Sequence, residues 1–164
     1  MRAVWVALVL FMPLPASAFC FQYAGSRYQV DPLVLEAIGV WESSLRQRAV
    51  NHNRDPQGKI LSTDYGVMQI NTLNANRLVS MGIIKTPEDL LANACLNVQA
   101  GAWVLARHIR VCGNTWRCLG SYNAGFAPSA RQEKKRLRYA QEIRNLYNRL
   151  KASGATPAHI AIRE

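Results

Sequence analysis

Residues 37–71 read AIGVWESSLRQRAVNHNRDPQGKILSTDYGVMQIN, which is an apolar segment, a polar connection and a short closing segment. The segment contains two carboxylates of interest, Glu42 and Asp64. On a helix, Glu42 would share a face with Ile38 and Leu45, because residues three and four apart lie on one side. An apolar face and a nearby helix C-terminus both raise the pKa of a carboxyl. A Glu in that position is suited to act as a general acid at neutral pH.

Asp64 lies in a more polar setting. Ser62 and Thr63 precede it and Tyr65 follows, so its carboxylate is expected to stay ionised. Two carboxylates in environments of opposite character are the pattern of a glycosidase site. The structural alternative is an ordinary ion pair, because Arg46 follows Glu42 by four residues.

The first 18 residues have the pattern of a cleaved export signal. Arg2 precedes an apolar run over residues 3–12, and the small residues ASA at 16–18 form a cleavage site. An apolar run of this length is too short for stable membrane insertion. Cleavage after Ala18 predicts one domain over 19–151, and the residues beyond it, 152–164, are expected to form a flexible tail.

Four cysteines follow the export signal: Cys20, Cys95, Cys112 and Cys118. An even number in an exported chain indicates disulfides, and four cysteines allow three pairings. The short segment GNTWR between Cys112 and Cys118 favours a local bridge, which leaves Cys20 to pair with Cys95. Zinc is the alternative, but the C-x-x-C spacing is missing, so neither a metal nor an organic cofactor is expected. The histidines show no ligand spacing, and His108 is expected at the surface.

Lys and Arg number 20 against 10 acidic residues, which gives a formal net charge of +10. A strongly basic chain suits a polyanionic partner. For an exported chain this partner is the cell wall or a membrane surface rather than nucleic acid. A secreted DNA-binding protein remains an alternative that rests on charge alone, because no recognition motif accompanies the charge.

The apolar pattern predicts a mainly α-helical fold. Asp31-Pro32 offers an N-cap and a first helical position, and apolar residues at three- and four-residue steps predict a helix over 32–47 with Trp41 on its buried face. A Pro-Gln-Gly turn predicts a small β-hairpin over roughly 50–70, whose residues 67–70 alternate as a short strand. Further helices are predicted after Cys20 and at 73–81, 90–91, 93–111, 116–124 and 132–151.

Three segments in order carry a family resemblance: WESSLRQRAVN at 41–51, STDYGVMQIN at 62–71 and LGSYNAGFAP at 119–128. They resemble the lysozyme-like lytic transglycosylases, and especially the small exported enzymes that accompany type III secretion, type IV pilus and conjugation machines. The second segment also resembles animal-type lysozymes. The resemblance covers Cys20 to about Leu150. It implies an α+β lysozyme-like domain, mainly helical, with a small β-hairpin at the active-site cleft.

The resemblance also implies roles for individual residues. Glu42 matches the catalytic acid, and Tyr122 matches a tyrosine whose hydroxyl is expected to hydrogen-bond that Glu. Asp64 departs from the commonest transglycosylase pattern, which has one essential carboxylate, and matches the second carboxylate of the lysozymes. Without the motifs, Tyr122 and Met68 would be ordinary core residues. The remaining matches are expected to contact substrate: Ser43, Gly66, Met68, Gln69, Asn123, Ala124 and Tyr139.

The implied reaction cleaves the β-1,4 bond after N-acetylmuramic acid in peptidoglycan glycan strands. Glu42 would protonate the leaving oxygen and then accept a proton from the muramoyl C6 hydroxyl, which closes on C1 as a 1,6-anhydro ring. The expected setting is a periplasmic monomer that works with secretion, pilus or conjugation machinery. One alternative is a muramidase in which water attacks and Asp64 assists. Another is a non-catalytic wall-binding assembly factor, although such a protein has no need of a buried carboxylate.

Overall fold

The computed structural model describes residues 19–154, and helices predominate in them. The helices are α1 Phe21–Tyr28, α2 Pro32–Ser43, α3 Thr72–Ser80, α4 Asp89–Ala92, α5 Ala94–Cys112, α6 Trp116–Leu119, α7 Ser121–Ala124 and α8 Ala130–Ala152. The strands are β1 Val50–Arg54, β2 Ile60–Tyr65 and β3 Ile70–Asn71. The predicted mainly helical class with a small β element is confirmed. The predicted export signal and the last ten residues of the predicted tail lie outside the described residues.

The sheet is antiparallel with the strand order β1-β2-β3. β1 and β2 form the predicted hairpin, in which Asn51 pairs with Asp64 and a register shift follows Asn53. The predicted strand over 67–70 is wrong, because residues 66–69 form a turn and only Ile70 enters β3. Gly66 has φ +74° and Gln69 has φ +48°, and an extended strand cannot accommodate either value.

Helix α2 begins where the sequence predicts. The Asp31 carboxylate accepts a hydrogen bond from the Leu33 amide at 2.9 Å, and Pro32 occupies the first helical position. The helix ends at Ser43, four residues earlier than predicted. Ser44 and Leu45 adopt the left-handed conformation, with φ values of 53° and 60°, which closes the last turn.

Two side chains near the end of α2 test the predictions for this helix. Glu42 lies in the last turn of the helix, as the general-acid hypothesis requires. Trp41, predicted to be buried, is 44% exposed. Helix α2 is apolar on nearly all sides, so its sequence pattern alone did not show which side meets solvent.

The core lies between α2, α5 and the turn at 66–69. Helix α5 contacts α1, α2, α4, α6, α7 and β3, and α8 packs against α2, α6 and α7. The largest fully buried side chains include Leu35 and Ile38 from α2, Met68 from the turn, Leu105 from α5 and Ile143 from α8. Burying these side chains brings the end of α2, the sheet and α8 into one neighbourhood.

The other predicted helices are found within about two residues of their expected bounds, with one exception. The single helix predicted over 116–124 is two short helices, α6 and α7, which Gly120 separates. Across residues 19–154, no helix combines the length and the apolar character needed to cross a membrane.

A buried amide fastens the 66–69 turn to α5. Asn97 is fully buried, and its side-chain oxygen accepts a hydrogen bond from the Met68 amide at 2.8 Å. Its Nδ2 donates to the Tyr65 carbonyl at 2.8 Å and to the Leu90 carbonyl at 3.2 Å. One side chain thus satisfies three backbone groups that would otherwise be buried without partners.

Both predicted disulfides are present. Cys20 pairs with Cys95, which joins the residues before α1 to the start of α5. Cys112 pairs with Cys118 and closes the short loop between α5 and α6. The predicted chain-order pairing is therefore confirmed.

Two glycines with similar backbone angles provide a matched test of how Asn97 holds the 66–69 turn. Gly66 has φ +74°, and a Cβ added there would collide with the Asn97 amide, whereas Gly58 has φ +84° and no atom within 4 Å of the added Cβ. Gly58→Ala should lower the free energy of unfolding by about 1 kcal/mol, the cost of a left-handed alanine. Gly66→Ala should lower it by about 3 kcal/mol, because the collision adds to that cost. Urea-induced unfolding measures both, and equal losses would contradict the role given to Asn97.

Candidate active site

Glu42 is held in place by the residue that follows it. Ser43 is only 3% exposed, and its hydroxyl contacts the carbonyls of Gly39 at 3.2 Å and Val67 at 2.8 Å. The second contact fastens the end of α2 to the 66–69 turn. Ser43 was predicted to contact substrate, but its hydroxyl is buried and engaged with backbone, so the structure gives it a positioning role instead.

Burial raises the pKa of Glu42 from its ordinary value near 4.5 to about 7. Removal of the carboxylate from water is the largest cause, and the negative charge of Asp64 acts in the same direction. A hydrogen bond from the Tyr139 hydroxyl to Oε1, 2.6 Å long, opposes them. Glu42 can therefore carry a proton near neutral pH and also give it up, as a group acting as acid and then base must.

The tyrosine that contacts Glu42 is not the predicted one. Tyr122 donates to the Met68 carbonyl at 2.9 Å, whereas Tyr139 donates to Glu42. The two rings are stacked with centroids 6.5 Å apart, and burial raises the pKa of both phenols well above the usual range. Both hydroxyls therefore remain protonated donors. Tyr139, predicted as a sugar contact, is the hydrogen-bond partner of Glu42.

The sequence contains a signal for the contact between Tyr139 and Glu42. Tyr139 belongs to the apolar stripe of α8, and its side chain is 4% exposed. Because α8 packs against α2, a polar atom on this stripe can meet a polar atom at the end of α2. A phenol on an apolar stripe needs a hydrogen-bond partner when it is buried.

Asp64 is fixed by two amides from the neighbouring strand. Its Oδ2 accepts hydrogen bonds from Asn53 Nδ2 at 2.8 Å and from Asn51 Nδ2 at 3.3 Å. The sequence analysis missed both asparagines. Their spacing was the available signal, because residues 51 and 53 project from the same side of a strand and face β2 across the hairpin.

Glu42 and Asp64 line one cavity of about 90 Å³. The cavity brings together five of the predicted site residues and adds Asn71, which the sequence analysis missed. Asn71 also caps α3, since its side chain accepts a hydrogen bond from the Asn74 amide at 2.9 Å. The lining residues are Glu42, Asp64, Gln69, Asn71, Tyr122 and Asn123.

Three other predicted contacts lie behind the cavity rather than in its lining. The Met68 side chain is fully buried and Ala124 is 7% exposed. Gly66 packs closely against Asn97. These residues determine the path of the backbone beneath the cavity, and the Met68 carbonyl rather than its side chain contacts Tyr122.

The ion-pair alternative for Glu42 is not what the structure shows. Arg46 Nε donates instead to the Ser43 carbonyl at 3.0 Å. His108, predicted at the surface, is half-buried, and its Nδ1 lies 2.8 Å from the Ser121 hydroxyl. Burial lowers the pKa of His108. Among the residues described, no group of three His, Cys, Asp or Glu side chains is arranged to hold a metal ion.

Several known proteins are similar to this chain over most of its length. It is 46% identical over 135 residues to the peptidoglycan-binding-like protein of Escherichia coli O157:H7, an alignment that covers 82% of this chain and 80% of that protein. It is 37% identical over 145 residues to protein IpgF of Shigella flexneri, covering 88% and 90%. It is also 36% identical over 140 residues to invasion protein IagB of Salmonella typhimurium strain SL1344, covering 85% and 82%.

The fold resembles that of a solved enzyme. The lytic transglycosylase Slt of Pseudomonas aeruginosa, solved as an inactive mutant, matches with a TM-score of 0.57 and 17% identity, over 85% of this chain and 25% of that one. This likeness confirms the predicted lysozyme-like fold. Residues 19–146 match the Transglycosylase SLT domain family. With its disulfides and this match, the chain is an extracytoplasmic protein that belongs to the SLT-domain family of peptidoglycan lytic transglycosylases.

Proposed function

We propose that the protein cleaves the β-1,4 bond between N-acetylmuramic acid and N-acetylglucosamine and leaves a 1,6-anhydromuramoyl end. The observation that carries this proposal is Glu42, whose pKa of about 7 lets one carboxyl serve as both acid and base. Its cavity contains polar groups suited to hydrogen-bonding a sugar. Catalytic roles for Glu42, Asp64 and Tyr139 are parts of the same proposal.

The first step requires a proton on the leaving oxygen. Tyr139 donates to Oε1 of Glu42, which leaves Oε2 to carry the proton. Transfer of this proton to the glycosidic oxygen breaks the bond from that oxygen to C1 of the muramoyl sugar. The sugar is then left with positive, oxocarbenium-like charge.

The second step regenerates the acid. The Glu42 carboxylate accepts the proton of the C6 hydroxyl as O6 forms a bond to C1. The electron pair of the broken bond has left with the glycosidic oxygen, and O6 supplies the pair of the new bond to C1. The proton of the C6 hydroxyl passes to Glu42. A group with a pKa near the working pH performs both transfers without a large energetic cost in either direction.

Asp64 stabilises the charged sugar in this proposal. Its carboxylate lies in the lining of the same cavity, and the two asparagines of β1 hold Oδ2. A fixed negative charge near developing positive charge lowers the barrier. The second carboxylate also favours the alternative function, a muramidase in which water attacks C1 and releases a reducing end.

We also propose that the enzyme is a periplasmic monomer that opens the wall locally for a secretion, pilus or conjugation apparatus. The support is the similarity to a protein named for invasion, together with the export-signal pattern of residues 1–18 and the resemblance of the three segments to exported enzymes of such machines. Deletion of the gene in the bacterium that carries it should reduce the number of assembled apparatus, counted by electron microscopy. Re-expression of the parent protein should restore the number and Glu42→Gln should not, and unchanged assembly in the deletion strain would contradict this role.

Product analysis tests the chemistry. Purified protein incubated with peptidoglycan should release muropeptides with anhydro ends, which mass spectrometry detects as lighter by one water than reducing ends. Glu42→Gln should slow release by more than ~100-fold, because Gln cannot donate the proton. Reducing ends alone from the parent protein would establish the muramidase alternative. Release of nothing by any form would favour a protein that only binds the wall.

Two controls accompany this test. Asp64→Asn should slow release less than Glu42→Gln does and leave the anhydro product unchanged. Glu42→Gln should remain folded, and it should be at least as stable as the parent at pH 8. The reason is that the Glu42 pKa is about 7 folded and near 4.5 unfolded, so the parent loses stability as the pH rises through this window.

The two tyrosines provide a matched pair. Tyr139→Phe removes the hydrogen bond that lowers the Glu42 pKa, so this pKa should rise and the alkaline limb of the kcat/KM profile should move to higher pH. Tyr122→Phe removes a bond to a backbone carbonyl, so it should lower stability by roughly 1 kcal/mol and leave the alkaline limb in place. If the alkaline limb moved in Tyr122→Phe and not in Tyr139→Phe, Tyr122 would be the hydrogen-bond partner of Glu42, as the family resemblance implies.

A further inference from the structure

A groove lies between α1 and α5, outside the lining of the catalytic cavity. Its volume is about 520 Å³, and it shares no lining residue with the catalytic cavity of about 90 Å³. The two helices pack against each other, and the Cys20–Cys95 disulfide joins the residue before α1 to the start of α5. The walls of this α1–α5 groove are therefore held in place by the fold. The lining includes Arg27, Tyr28 and Gln29 at the end of α1, and Trp103, Ile109 and Arg110 on α5.

The charge of this region has one sign. Neither α1 nor α5 contains an aspartate or a glutamate, and the lining of the groove contains no carboxylate. Arg27 and Arg110 belong to the lining, and Arg107 lies one turn before Arg110 on α5. None of the three forms an ion pair with another residue of the described range 19–154. An anionic ligand would meet cations and no like charge here.

Two of the arginines rest on aromatic rings instead of extending into water. The Arg107 guanidinium lies 4.7 Å from the centroid of the Trp103 ring. The Arg27 guanidinium lies 5.7 Å from the centroid of the Tyr28 ring and donates a hydrogen bond to the Tyr23 hydroxyl at 3.0 Å. A guanidinium stacked on a ring keeps donors at its edge that can pair with a carboxylate. Because the rings already restrict these side chains, less entropy is lost when a carboxylate binds.

The groove also offers apolar surface. Tyr28, Trp103, Ala106 and Ile109 all belong to the lining, and each is half-buried. Trp, Tyr and Arg together are the residue types that carry most of the binding energy in protein–protein interfaces. A ligand that fills this groove therefore has carboxylates for the arginines and apolar side chains for the aromatic wall.

The shape and the charge disfavour two other occupants. A flat anionic surface such as a bilayer meets the exposed edges of a groove and leaves its half-buried apolar lining uncovered. A second copy of this chain has the same formal net charge of +10, so like charges oppose its approach. An extended or helical peptide segment satisfies both parts of the lining.

We propose that the α1–α5 groove docks an acidic segment of a partner protein, whose carboxylates pair with Arg27, Arg107 and Arg110 and whose apolar side chains pack on Trp103 and Ile109. The proposal goes beyond the reaction proposed for Glu42 and does not depend on it. Since the groove and the catalytic cavity share no lining residue, the docked protein keeps its catalytic cavity free.

The test uses a random peptide library displayed on phage and selected on the parent protein. The selected peptides should combine Asp or Glu with Leu, Ile, Phe or Trp. A synthetic copy of the leading peptide should bind Arg27→Gln combined with Arg110→Gln about tenfold more weakly, because exposed ion pairs change affinity by about two- to fivefold each. This difference should shrink as salt rises. No enrichment, selected peptides without acids, or equal affinity of parent and variant would overturn the proposal.

A matched control separates the groove from net charge. Arg131→Gln combined with Lys134→Gln makes the same change in net charge at exposed positions of α8 outside the lining. This control should bind the leading peptide as the parent does, and a loss as large as that of the test variant would overturn the proposal. The two double variants should cleave purified peptidoglycan at equal rates, since neither changes a residue of the catalytic cavity.

Charge reversal tests for direct contact. Arg110→Glu should bind the leading peptide more weakly than the parent, and a copy of the peptide with Lys in place of one of its acids should regain affinity for this variant. A purely structural effect of the substitution would not be rescued by the peptide. Failure of every Lys-substituted copy to regain affinity would overturn the proposed contact.

Two sedimentation arms distinguish the other anionic sources. Parent, test variant and control are mixed with vesicles of phosphatidylglycerol and phosphatidylethanolamine, and separately with insoluble peptidoglycan. The test variant and the control should sediment equally in each arm, because only net charge acts there. A loss confined to the test variant with vesicles would assign the groove to lipid headgroups, and the same loss with peptidoglycan would assign it to the wall. Either result would overturn docking of a protein segment.

Discussion

The backbone of the 66–69 turn is the constraint on which the site depends. Its amides and carbonyls contact α2 through Ser43, α5 through Asn97 and α7 through Tyr122, each at 2.8–2.9 Å. Through the turn, the three contacts join the end of α2 to α5 and α7. They are hydrogen bonds in a region largely shielded from water, where an unmade bond is costly. They fix the end of α2, and with it Glu42, against the turn that leads into β3.

The pKa of Glu42 depends on a balance between two opposing effects. Burial favours the protonated carboxyl, and the Tyr139 hydroxyl favours the carboxylate. Burial alone would give an acid that holds its proton too firmly to act later as a base. The hydrogen bond alone would give a carboxylate that is ionised at neutral pH. A pKa of about 7 results because burial is the larger effect and the bond offsets part of it.

Features that depend on local sequence were predicted better than features that depend on contacts between distant parts of the chain. Asp31-Pro32 located the start of α2, and the short spacing of Cys112 and Cys118 predicted their bridge, because these features depend on neighbours in the chain. The pairing of Cys20 with Cys95 was predicted because these two cysteines remained. Residues 67–70 were predicted as a strand, since alternating apolar residues do not reveal the left-handed backbone of Gln69. Tyr139 rather than Tyr122 donates to Glu42, because the partner of a phenol is decided by how α8 packs on α2, which no local pattern contains. The same holds for Asn97, whose three partners come from different elements.

The exposed cations of α8 do not contribute to the pKa of the buried Glu42 carboxyl. The causes of the Glu42 pKa are burial, the Tyr139 bond and the charge of Asp64, and none of them is a cation. Lys135 and Arg138 are exposed to water, which screens their fields, so they do not draw the proton from the acid. A cation buried beside Glu42 would favour the carboxylate and lower the pKa of Glu42. The surface can therefore be strongly basic, in keeping with a net charge of +10, because burial shields the Glu42 carboxyl from that charge.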